Sequence, residues 1–210
     1  MLLLEQPASL WRVLTHLGSS SLLLPLFALV VAGVWQSGHA GAARTWLGGV
    51  VVAATLTLVS KILFMGWGMG VATLDFTGVS GHSVLAASVF PVLLHWLLAP
   101  QPPGRRYMGL LLGLALAGVV AVSRVVLGAH SASEVIIAWC IGLAVSLLVV
   151  RAMPEPGHPP RWVRLTPLLL LFAFHTSTAT YLPSHAWEVR LSLALSGHDQ
   201  PFTRQHLLLK

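Results

Sequence analysis

The sequence predicts an all-α membrane protein, a polytopic helix bundle with about six transmembrane helices, built as a single domain over residues 1–210. Three observations predict it. The chain is 56% hydrophobic and only 9% charged, where soluble domains carry about 25% charged residues. Its mean hydropathy is +0.81. Long apolar stretches recur along it, separated by short turns rich in Gly, Pro and Arg.

Taken in order, residues 1–18 interleave Trp11, Val13, Leu14 and Leu17 with Arg12 and His16. That spacing suits a short amphipathic helix lying at the membrane interface. Residues 22–35 are the clearest apolar part of a first span, which starts near residue 19. A Gly/Ala/His turn over residues 36–44 follows. Residues 46–64 form the second span, with Trp46 at interface depth and Lys61 near its end. Residues 65–79 are Gly-rich, with Trp67 and Asp75, and are long enough to fold over a site. Both named residues read as loop residues.

Residues 82–98 form the third span. Pro91 inside it predicts a kink, tolerable where neighbouring helices cover the freed backbone. Residues 99–106 are a Pro-rich turn carrying Arg105 and Arg106. Residues 107–127 form the fourth span, whose Gly109, Gly113 and Gly118 allow close helix packing. The fifth runs over about residues 133–150. Residues 151–164 hold four prolines with Arg151, Arg161 and Arg164 and read as a loop. Residues 165–182 are a candidate sixth span, polar in its second half. From Trp187 to Leu195 the apolar residues alternate, which is a strand period.

The formal net charge of +6 is spread over short loops, with no long basic run. It points to membrane topology and to affinity for anionic lipid or phosphate, and away from nucleic acid. Cys140 is the only cysteine, which excludes an internal disulfide, and packing is its expected role. The N-terminus lacks the order of a cleaved signal peptide, so no processing is expected.

Two stretches carry chemistry. Ser123-Arg124 is followed by His130 and Glu134 at the junction of spans four and five. Charged residues there are costly unless they face a polar cavity or water. Four apart, His130 and Glu134 share a helix face. A His held by a carboxylate presents its other ring nitrogen as a base or nucleophile. Ser80-Gly81-His82 stands just before span three, and a triplet opening a helix offers free N–H groups and a positive dipole end to an anion.

Lys61, then Ser80-Gly81-His82, then Ser123-Arg124 with His130 and Glu134, resembles the type 2 phosphatidic acid phosphatase (PAP2) superfamily. Its three motifs read K-x6-R-P, P-S-G-H and S-R-x5-H-x3-D. The resemblance covers about residues 61–150, and the third motif is its specific part. Three departures stand out. Gly68-Met69 replaces the Arg-Pro of the first motif, Val79 replaces the Pro before Ser80, and Glu134 replaces Asp.

With five regular spans, Lys61, His82, Arg124 and His130–Glu134 all fall on one membrane face. The other face receives Arg44, Arg105, Arg106, Arg151, Arg161 and Arg164. Short basic loops stay in the cytoplasm, so the site is expected outside it, with the protein in a bacterial inner membrane. A phosphate monoester needs cations and N–H donors on its oxygens, an in-line nucleophile, and an acid for the leaving oxygen. Lys61 and Arg124 are the cations, and Ser80 and Gly81 offer backbone donors and a hydroxyl. The resemblance implies His130 as a nucleophile forming a phosphohistidine, Glu134 as its polarising partner and His82 as the proton donor. It implies no metal and no other cofactor. The implied substrate is a lipid phosphate: phosphatidic acid, phosphatidylglycerol phosphate, undecaprenyl pyrophosphate or a lipid A phosphate.

Each residue also has a plainer role. Lys61 can snorkel to the head groups, Arg124 can pair with lipid, and His82 can be a polar helix end. His130 and Glu134 can be a solvated pair. Two rival functions follow. In one, a metal-dependent enzyme or transporter uses His82, His130 and Glu134 as ligands. In the other, a scaffold or binding protein keeps the fold without turnover.

Overall fold

The computed structural model describes residues 6–153, 158–165 and 184–208. Eight α-helices lie among them: α1 (Gln6–His16), α2 (Ser20–Gln36), α3 (Ala40–Trp67), α4 (Gly81–Leu97), α5 (Pro103–Val126), α6 (Ala132–Arg151), α7 (Ser184–Ser196) and α8 (Arg204–Leu208). Short 3₁₀ turns stand at Ala72–Leu74 and Val163–Leu165. The result is a polytopic helical bundle. Four stretches are long and apolar enough to cross a membrane: Leu10–Gln36, Ala40–Trp67, Pro103–Val126 and Ala132–Arg151. The first of these runs through the turn between α1 and α2. Helix Gly81–Leu97 is apolar but shorter than these four.

α4 is the central helix. It packs against α2, α3, α5 and α6, and most of its residues are buried. Pro91 gives it a specific problem. Proline has no N–H, so the carbonyl one turn earlier, on Ala87, loses its helical donor. The Ser146 hydroxyl of α6 donates to that carbonyl at 2.6 Å. The adjacent Ser88 carbonyl accepts from Trp46 Nε1 of α3 at 2.8 Å. The proline is thus tolerated because neighbouring helices bond the carbonyls around it.

Small residues set the helix spacing. A Cβ on Gly113 would lie 2.4 Å from Pro91 Cα, and one on Gly109 would lie 2.5 Å from the Leu94 carbonyl oxygen. These residues, one turn apart, let α5 rest on the α4 backbone. Gly142 does the same for α6 against Ala87. Gly118 corrects the expectation that all three α5 glycines pack: nothing lies within 4 Å of its Cβ position. Five residues beyond Gly113, it has turned off the shared face.

The outer faces stay apolar and exposed. Leu47, Val51, Val52 and Leu56 on α3, Leu111 and Leu112 on α5, and Ile136 and Leu148 on α6 cover no protein. In water such a surface would be a liability, whereas in a bilayer it meets acyl chains.

One of these element readings changes. The alternation from Trp187 to Leu195 is helical, not a strand: it lies within α7. Val189 packs against the Phe64, Met65 and Leu207 cluster, while Trp187, Leu191 and Leu195 are exposed. The apolar residues therefore do not form one buried stripe, and a helix whose apolar residues ring its axis leaves no 3.6-residue signature. The candidate sixth span lies almost wholly outside the described residues. Its flanks stand at opposite ends of the bundle. Val163 and Trp162 pack near Gly33 and Trp96, at the late ends of α2 and α4. Glu188 of α7 reaches Lys61, beside the start of α4.

Candidate active site

The connectivity brings the candidate residues to one end. α3 ends and α4 begins there, and α5 ends and α6 begins there. A cavity of about 600 Å³ opens between these ends, and Lys61, Gly81, His82, Arg124 and His130 all line it.

Glu134 is the best-held side chain of the site, and its local sequence explains why. α5 stops at Val126, and Gly128 takes φ +65, the left-handed form that ends helices at low steric cost. The Ala129 and His130 N–H groups then fold back onto the Arg124 carbonyl at 3.0 and 3.2 Å. Ser131 caps α6 and makes a capping box with Glu134: the Ser131 side chain accepts from the Glu134 N–H, and Glu134 accepts from the Ser131 N–H. His130 therefore precedes the helix instead of sharing a helical face with Glu134. The pair still forms, because the capping box turns the Glu134 carboxylate back over the turn. His130 Nδ1 lies 2.7 Å from Glu134 Oε2.

The carboxylate is fully buried and surrounded by donors. Oε1 accepts from the Thr77 N–H at 2.6 Å and the Thr77 hydroxyl at 2.5 Å. Oε2 accepts from the Ser131 N–H at 3.1 Å. Arg204 Nη2 lies 3.0 Å from Oε1 and 2.9 Å from Oε2. A carboxylate accepting from His130 Nδ1 fixes the tautomer, with the proton on Nδ1 and the lone pair on Nε2.

Thr77 belongs to the Gly-rich loop, which does fold against the site. Its end is pinned to α3: the Val79 N–H donates to Ser60 Oγ at 3.0 Å. A Cβ on Gly78, at φ +153, would come within 2.9 Å of Lys61 Cγ. The loop carbonyl of Leu74 accepts from Ser133 Oγ at 2.7 Å.

The cations have partners. Lys61 Nζ donates to both oxygens of Glu188 at 2.8 and 3.0 Å. Arg124 Nη1 donates to the Thr15 hydroxyl of α1 at 3.0 Å. Arg204 also bonds the Asp75 carbonyl and carboxylate at 2.9 and 2.5 Å. Partial burial works against its charge, but the Glu134 carboxylate and the bonds to Asp75 and Glu134 hold its pKa above the ordinary guanidinium value.

Of the Ser-Gly-His triplet, Gly81 and His82 face the cavity. Ser80 is fully buried as the residue before α4, and its hydroxyl accepts from Ser83 Oγ at 3.0 Å. Its hydroxyl is engaged inside the protein, contrary to the expected place on the phosphate. Among the described residues, no three His, Cys, Asp or Glu side chains converge as a metal-binding group. His82, His130 and Glu134 therefore do not form the ligand set of the metal-dependent reading.

Thr15, Thr77, Glu188 and Arg204 were not legible as site residues from spacing. Glu188 and Arg204 lie 127 and 70 residues from their partners. One signal was present: the chain has only six acidic residues, and each acid in so apolar a chain calls for a cation.

This is an all-helical membrane protein with a His–carboxylate pair and cations around one cavity. The chain belongs to the PAP2 superfamily, whose model matches residues 15–157. It is 32% identical over 202 residues to the "Uncharacterized 22.5 kDa protein in cps region" of Klebsiella pneumoniae, covering 94% of this chain and 97% of that protein. It is also 32% identical over 148 residues to the phosphatidylglycerophosphatase B of Bacillus subtilis (strain 168), covering 65% of this chain and 70% of that protein. No solved structure matches it.

Proposed function

We propose that this protein is an integral membrane phosphatase that removes phosphate from a lipid through a phosphohistidine at His130, without a metal. The observation that carries the reading is the His130–Glu134 pair, set beside a cavity that Lys61, His82 and Arg124 also line. Family membership and the B. subtilis relative support the lipid phosphatase class.

The chemistry follows from the tautomer. With its proton on Nδ1, His130 attacks phosphorus through Nε2. A P–N bond forms as the P–O bond to the lipid breaks. Lys61 and Arg124 stabilise the charge on the phosphoryl oxygens, joined by the free N–H groups at the start of α4. His82 gives its proton to the leaving alkoxide. Neutral His82 then takes a proton from water as the water oxygen attacks phosphorus. The P–N bond breaks, inorganic phosphate leaves, and His130 and His82 return to their starting states. The incoming phosphate has to take Lys61 from Glu188. A site at one end of the helices suits a substrate whose phosphate lies at head-group height, on the side away from the cytoplasm.

The test is phosphate release by the purified full chain from phosphatidic acid, phosphatidylglycerol phosphate, undecaprenyl pyrophosphate and lipid A phosphate, with and without a strong chelator. Release from at least one, unchanged by the chelator and lost in His130→Ala, is expected. Near-parent turnover by His130→Ala would sink the phosphohistidine, and loss of activity with the chelator would sink metal independence.

A further inference from the structure

The charges around the cavity do not suit a phosphate if Lys61 and Arg124 are taken as its only cations. Lys61 and Arg124 are two cations. Glu134 backs the nucleophile, Glu188 sits on Lys61, and Asp75 is joined to Glu134 through Arg204. Histidines aside, two positive charges against three negative ones would repel a dianion. Arg204 brings the set to balance, and it lines the same cavity as Lys61, His82, Arg124 and His130. Its Nη2 lies 2.9 Å from the Glu134 oxygen that also holds His130 Nδ1 at 2.7 Å. The guanidinium and the nucleophile's ring thus share one carboxylate oxygen. Its side chain is one-third exposed (33%), so it is not sealed behind Glu134.

The tail is built to deliver it there. The Phe202 N–H donates to the Met65 carbonyl at 2.9 Å, and His198 Nδ1 lies 2.8 Å from the Gly66 carbonyl. Leu207 of α8 is buried with Phe64 and Met65. The Phe202 ring rests on Gly68, where a Cβ would come within 2.9 Å of it and φ is +67. Position 68 is where the first motif would place an arginine. Here it is the seat of an aromatic ring, and two residues beyond that ring an arginine enters the cavity from the tail.

We propose that Arg204 is a phosphate ligand of this site, the third cation on the phosphoryl group beside Lys61 and Arg124, held until then by Glu134 and Asp75. The proposal rests on the phosphatase reading above. A guanidinium binds two phosphoryl oxygens at once, which suits a cation that lines the cavity beside the His130–Glu134 pair.

The experiment uses the full chain, purified in detergent, with orthovanadate and inorganic phosphate as probes, measured by calorimetry and as inhibitors of turnover. Arg204→Gln should weaken orthovanadate and raise KM for the lipid phosphate, each by roughly 10- to 100-fold, the range for a lost hydrogen bond to a charged group. Arg204→Lys should recover part of that loss. Phe202→Ala, which removes the seat without touching the charge, should shift both constants in the same direction, and it decides the matter if Arg204→Gln does not fold. Parent-like orthovanadate affinity in folded Arg204→Gln, or in Phe202→Ala if that variant must decide, with only kcat reduced, would make Arg204 a buttress of Glu134 and overturn the proposal. A parent that hydrolyses no lipid phosphate yet binds orthovanadate through Arg204 would defeat the phosphatase reading and leave the ligand standing. A parent that binds neither probe would defeat both.

Discussion

Glu134 shows how one residue ties the capping of a helix to the chemistry beside it. Every group around its carboxylate is a donor: the Thr77 N–H and hydroxyl, the Ser131 N–H, His130 Nδ1 and Arg204. Glu134→Gln keeps the shape but turns an amide NH₂ toward donors, and under the proposed mechanism it loses the charge that would stabilise a phosphorylated, positively charged imidazole ring. Positioned acid–base help is worth roughly 10²- to 10⁴-fold, so this variant should lose a large part of that factor, mainly in kcat. Glu134→Asp keeps the charge and the acceptor pattern but falls short by one methylene. It should sit between the parent and the Gln variant. The measurement is kcat and KM for all three on one lipid phosphate. A Gln variant as fast as the parent would remove Glu134 from the mechanism.

At the scale of elements, the close approach of α4 and α5 is the feature most open to a clean test. Gly113→Ala puts a methyl 2.4 Å from the Pro91 Cα and 2.6 Å from the Phe90 carbonyl. These are backbone atoms of the central helix, so no side chain can swing away. Overpacking of this kind costs about 1–3 kcal/mol or more. Gly118→Ala meets nothing within 4 Å and should be neutral, or slightly stabilising through helix propensity. Thermal unfolding in detergent should show a lowered midpoint for the first and none for the second; equal midpoints would refute the packing. These elements also mark what could be read from the chain. The spans were legible because a bilayer demands long unbroken apolar runs, and His130–Glu134 because local contacts leave a spacing. α7 was misread because its apolar residues ring the axis. Arg204 and Glu188 reach the site through folding alone, so no interval in the chain announces them.

For the whole molecule, the arrangement of helix ends turns charge into an orientation. The site end holds the end of α3, the start of α4, the end of α5 and the start of α6. The far end holds the α2–α3, α4–α5 and post-α6 connections, with Arg44, Arg105, Arg106 and Arg151. Val163 packs against Gly33 there as well, which carries Arg161 to the same end. At the site end Lys61 and Arg204 are already matched by carboxylates, and Arg124 lines the cavity. Short loops rich in Arg remain cytoplasmic, so the cavity should open on the opposite side. Met69 is a suitable reporter for the site end, since it is exposed and follows α3 directly. Gly78 is not, because its φ and its contact with Lys61 leave no room for a side chain. Gly104, with open space around it, reports the far end. With the exposed Cys140 replaced, Met69→Cys should react with a membrane-impermeant maleimide in intact cells, and Gly104→Cys only after permeabilisation. The opposite labelling pattern would turn the molecule over and place phosphate release in the cytoplasm.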